Sequence, residues 1–132
     1  MRNPGGWKWL VMAAMILLGA RQAEAKVVGQ SVEYKAGDTV MRGYLAYDDA
    51  AKAPRPGILV VHEWWGLNDY VRGRARQLAE LGYTALALDM YGEGKVAEDP
   101  QAAGKLSAET TKNIPVAKQR FEAALNFLRK QK

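Results

Sequence analysis

The residues best placed to do chemistry sit in one run, His62-Glu63-Trp64-Trp65, with Asp89 farther along the chain. Glu63 lies between an apolar stretch and two tryptophans. A carboxylate so placed would be partly desolvated, a poised acid or base able to hold or take a proton. Equally, it could be an anchor that accepts loop amides or pairs with Arg72, Arg74 or Arg76, and the bare spacing leaves both readings open. His62 is the only histidine. After an apolar run it reads as a hydrogen-bonded structural residue rather than a catalyst. No second histidine follows His62-Glu63 at H-E-x-x-H spacing, so neither a metal nor a cofactor is expected. Trp64 and Trp65 could line an apolar pocket, although core is the better reading for at least one of them. Asp89, before Met90-Tyr91-Gly92, reads as the cap of a turn, with orientation of a catalytic group as the alternative. A nucleophile is missing from this set. The chain has no cysteine, and Ser31 and Ser107 lack the flanking glycines of a G-x-S-x-G elbow. With a single histidine, the triad order cannot be completed either.

Elements must bring these residues together. Alternating residues over 28–47, including Val32, Tyr34, Val40, Tyr44 and Leu45, predict an antiparallel hairpin turning at Lys35-Ala36-Gly37-Asp38. Gly57-Ile58-Leu59-Val60-Val61 is short, uninterrupted and β-branched, as a central parallel strand covered on both faces would be. A helix follows, capped by Asn68 or Asp69, with Val71, Ala75, Leu78 and Ala79 on one face and Gly82 as its stop. Residues 83–88 predict a second buried strand ending at Asp89. Residues 90–100 then form a glycine-rich loop. A weaker helix over 99–110 precedes a stronger one over 115–130, whose core stripe would be Ala117, Phe121, Ala124, Leu125 and Leu128. Strand, helix, strand defines an α/β fold, in which ligands bind at the carboxyl ends of the strands; His62-Glu63 and Asp89 occupy those ends.

Composition narrows the function. Without residues 1–25 the net charge falls from +5 to +3, with 16 lysines and arginines against 13 acids; this is a mild excess, mostly interleaved with acids, which argues against a nucleic-acid partner. Residues 1–25 read as a signal peptide: Arg2 and Lys8 are followed by about a dozen apolar residues and then Ala23-Glu24-Ala25. That run is too short for a stable membrane span, which takes about 20 residues. A periplasmic or secreted location is therefore expected, with residues 26–132 as the mature domain.

The combined pattern His62-Glu63-Trp64-Trp65-Gly66-Leu67-Asn68-Asp69-Tyr70, Arg74-Ala75, Leu78-Ala79, Leu81-Gly82-Tyr83, Ala85-Leu86-Ala87 and Asp89-Met90-Tyr91-Gly92 resembles the dienelactone hydrolase family of α/β-hydrolases. It is dense over residues 54–94. The resemblance implies an incomplete α/β-hydrolase fold: an N-terminal β-hairpin followed by parallel strands with flanking helices. It also implies that Glu63 helps activate a nucleophile and that the Trp64 amide helps form an oxyanion hole. In the family the nucleophile, a cysteine or serine, follows the helix matching residues 115–130, and the Asp and His come later. The sequence therefore reads as the N-terminal portion of an exported ester or lactone hydrolase, inactive alone, with a small-molecule ester or lactone as the intact protein's substrate. No match to the family's substrate-carboxylate arginine follows Tyr91, so dienelactone itself is not the expected substrate. Two rival readings stand beside this one. The first is a non-catalytic binding module using the tryptophan loop for a small ligand or a partner protein, and the second is half of a split hydrolase with a C-terminal complementing chain.

Overall fold

The computed structural model describes residues 25–52 and 54–131. The signal peptide expected at residues 1–25 lies, but for its last residue, outside the described residues. Strand β1 (Val27–Ala36) and strand β2 (Thr39–Asp48) form the predicted hairpin in full register, Val27 facing Asp48 and Ala36 facing Thr39. Gly37 takes a φ of 61° in its two-residue turn, a left-handed conformation that costs glycine little. Strand β3 (Gly57–Val61) leads into helix α1 (Asp69–Glu80), and strand β4 (Thr84–Leu88) follows. Helices α2 (Pro100–Lys112) and α3 (Ile114–Arg129) complete the chain. Each helix start is closed by a side-chain oxygen, from Asn68 to the Val71 amide, Asp99 to Ala102 and Asn113 to Val116.

The strands form one sheet in the order β1-β2-β4-β3, with β4 antiparallel to β2 and parallel to β3. Strand β4 is the covered one, buried at all five residues. Its alternation explains the two-sided core. Leu86 and Leu88 point to one face, where they meet Met41, Leu45, Ala124 and Leu128 of β2 and α3. Ala85 and Ala87 point to the other, against Val71, Ala75 and Ala79 of α1. Small residues on both surfaces let α1 lie close to the sheet.

Two expectations need correction. Strand β3 is not central among the described strands; it is the sheet edge, with Val61 54% exposed. An uninterrupted apolar run does not reveal which neighbours a strand has, so the sequence could not show this. On α3 the buried face is also rotated from the predicted stripe. Ala124 and Leu128 are buried, but Phe121 is exposed, and Ala123 and Phe127 pack instead, Phe127 with its ring 5.3 Å from that of Tyr34. Tyr34 offers an aromatic surface that only that side of the helix can reach. Among the described residues, no helix is long and apolar enough to cross a membrane.

Candidate active site

The carboxyl ends of β3 and β4 are joined through polar side chains, beginning with Asp89. Its carboxylate is 1% exposed and accepts four backbone N–H groups. Oδ1 takes those of Tyr91 (3.0 Å) and Gly92 (2.8 Å), while Oδ2 takes those of Gly94 (2.8 Å) and Arg42 (3.1 Å). The turn cap expected from sequence is present and extends into β2. The Asp89 amide in turn donates to the Tyr34 hydroxyl, whose pKa burial pushes up to about 12. In the same loop Glu93 has a φ of 57°, unusual for a residue with a side chain, and is pinned by its amide to Val40 O at 2.8 Å. Lys95, 3.0 Å away, holds the Glu93 carboxyl below its usual range.

His62 bridges the two strand ends. Its Nε2 accepts the Met90 N–H at 3.1 Å, which places the ring proton on Nδ1, and Nδ1–H donates to Glu63 O at 2.6 Å. Burial lowers its pKa, favouring this neutral form. The Tyr91 ring stands edge-on to the imidazole, centroids 4.6 Å apart, and its hydroxyl donates to Trp64 O at 2.8 Å. Burial raises the Tyr91 pKa, so the hydroxyl stays a donor. With both nitrogens engaged, His62 is a structural residue, as its isolation in the sequence indicates.

Residues 63–66 form a turn closed by the Gly66 amide on Glu63 O at 3.2 Å. Gly66, at a φ of 92°, is backed so closely by Lys95 O that no Cβ would fit. Glu63 and Trp64, the two candidate residues, are adjacent in this turn, and both are exposed. Among the described residues the expected desolvation of Glu63 is absent, because β3 is the edge of the described sheet and its outer side carries no further strand there. Nor is Glu63 anchored by an arginine: Arg72 approaches Asp69 (3.9 Å), Arg74 donates to Gln77 and Arg76 donates to the Tyr44 hydroxyl. Among the described residues the Glu63 carboxylate and the Trp64 amide have no hydrogen-bond partner. Glu63 borders a groove of about 350 Å³ along β3 and α1, lined also by Val61, Tyr70 and Arg74. Trp64 is 44% exposed and Trp65 half-buried, their rings 5.2 Å apart, and neither joins a core cluster. No cluster of metal-ligating side chains occurs among the described residues.

The sequence did not single out Tyr91 or Arg120. Tyr91 ties the two loops together, and Arg120 donates from α3 to Met90 O at 2.7 Å. Tyr91 stood inside a recognisable pattern, two residues after Asp89. Arg120 carries no local signal, because its partner is 30 residues away.

Polar groups gathered at the carboxyl ends of parallel strands, in a sheet with helices on both faces, stand where open α/β sheets bind their ligands. The chain belongs to the dienelactone hydrolase family, whose family profile matches residues 41–132. It is 36% identical over 106 residues to Protein usf of Aquifex pyrophilus, covering 77% of this chain and 44% of that protein. The fold resembles the solved structure named m3DLH with a TM-score of 0.75 and 33% identity, over 80% of this chain and 44% of that one. It also resembles a dienelactone hydrolase-like promiscuous phosphotriesterase from metagenomic libraries, with a TM-score of 0.74, 35% identity and the same coverage, 80% and 44%. The chain thus spans less than half the length of these relatives.

Proposed function

We propose that this chain is the N-terminal portion of an exported hydrolase of ester or lactone bonds, in which Glu63 and Trp64 serve a nucleophile supplied from outside residues 1–132. The observation that carries this reading is the turn at the end of β3, where a carboxylate and an amide that have no hydrogen-bond partner among the described residues stand side by side in the segment matched by the family. A carboxylate in water-accessible reach can hold or take the proton of a thiol or hydroxyl as it attacks. An amide aimed at the carbonyl oxygen stabilises the charge that develops there. Three facts support a nucleophile from outside these residues: there is no cysteine, the two serines lie on β1 and α2, and the histidine is committed to two backbone groups. The charged start, apolar run and A-x-A site of residues 1–25 support export, which mass spectrometry of the mature protein would test by finding Lys26 at its N-terminus.

The reading makes two expectations for turnover. Purified residues 26–132 should not hydrolyse an activated ester such as p-nitrophenyl acetate above background. A chimera in which residues 41–131 replace the matching segment of the metagenomic dienelactone hydrolase-like enzyme should hydrolyse it. Turnover by the chain alone, or a folded chimera with none, would contradict the assignment.

A further inference from the structure

An oxyanion donor is effective only when its direction is fixed before the charge appears. The Trp64 N–H lies in the same planar peptide unit as the Glu63 carbonyl, and the Trp65 N–H in the same unit as the Trp64 carbonyl. No peptide here is cis, so each N–H points opposite to its carbonyl. Both carbonyls meet a side chain from outside residues 63–66, and Glu63 O also accepts the Gly66 amide at 3.2 Å. His62 Nδ1–H is 2.6 Å from Glu63 O, and the Tyr91 hydroxyl is 2.8 Å from Trp64 O. The rings are themselves fixed, edge to face, with His62 Nε2 on the Met90 amide and Tyr91 N–H on Asp89. Two successive peptide planes are thus met by side chains, one from the end of β3 and one from the loop after β4.

We propose that His62 and Tyr91 are positioning residues that orient the Trp64 and Trp65 amides, His62 setting the first peptide plane of the turn and Tyr91 the second. The inference rests on the oxyanion-donor reading for its purpose but not for its geometry. The functional consequence is that the loop after β4 sets the direction of donors on the loop after β3, so the Asp89 amide cluster acts on the site through Tyr91.

The test is amide 15N relaxation of Trp64 and Trp65 in the full chain and three variants. In the unsubstituted chain both amides should be as rigid as ordered backbone, with order parameters of about 0.85. The His62→Asn amide nitrogen falls near Nδ1 and keeps the bond to Glu63 O, whereas His62→Gln reaches the Nε2 position and keeps only the Met90 bond. Trp64 should therefore stay rigid in H62N and fall below about 0.6 in H62Q, and Tyr91→Phe should loosen Trp65 first. Mobile amides in the unsubstituted chain, an equal effect of H62N and H62Q, or rigid amides in both H62Q and Y91F would each overturn the proposal. None of these readings involves turnover, so failure of the hydrolase assignment would be seen separately, in the chimera.

Discussion

Asp89 is a carboxylate with four amide donors and almost no solvent, so its two oxygens have no spare role. Asp89→Asn would keep the shape but turn an NH2 group toward two N–H donors, leaving buried amides unsatisfied. We expect a loss of about 3 kcal/mol or more in urea unfolding, since each such group costs about 1–3 kcal/mol. His62 gives a pH signature. Its folded pKa lies below the ordinary 6.5, so protonation favours the unfolded chain. Its contribution to stability is then fully present above about pH 6.5 and is lost as pH falls through that value toward the folded pKa. Glu63 O, Met90 N–H, the Tyr91 ring and the Asp89 charge surround it; burial lowers the pKa and outweighs the Glu63 carbonyl and then the Asp89 charge, both of which oppose the shift. Urea midpoints measured between about pH 8 and about pH 5.5 should fall on acidification in the native chain and fall less in His62→Asn. At this scale much was legible: a lone histidine after a strand and an aspartate before Met-Tyr-Gly are local patterns with local causes. The exposure of Glu63 was not, because it depends on which strand lies beside β3.

Helix α1 owes its start to Asn68, whose side chain accepts the Val71 amide at 3.2 Å and which lies two residues beyond the Gly66 turn. Asn68→Ala should lower stability by about 1 kcal/mol, read as a shift of the thermal midpoint, because first-turn amides lose their acceptor. The cap of α1, the hairpin and both faces of α1 were readable from sequence, since each follows from residues within one or two turns of one another. Helix α3 shows where this stops. Its sequence offers apolar residues on more than one side, and the choice of Phe127 over Phe121 is made by Tyr34 on β1. A periodicity can state that a helix has a face, but only the opposing surface selects it.

At the scale of the whole molecule, the open edge of β3 is the feature that joins fold to function. Among the described strands β3 is paired on one side only, and it carries an exposed Val61 beside the groove that Glu63 borders. Such an edge favours strand pairing between molecules. Val61→Lys should reduce concentration-dependent association in sedimentation velocity while changing unfolding stability by no more than about 0.5 kcal/mol. The family pattern made the α/β class readable, yet strand order stayed hidden, because pairing partners distant in sequence leave no trace in a short apolar run. The central claim is that the Glu63 carboxylate serves an attacking group, and the most direct measurement is kcat of the chimera with Glu63→Gln against the chimera without it. The account predicts a fall of roughly a hundred- to ten-thousand-fold with an unchanged thermal midpoint. Equal turnover in the two proteins would contradict it and reduce Glu63 to a residue of the turn.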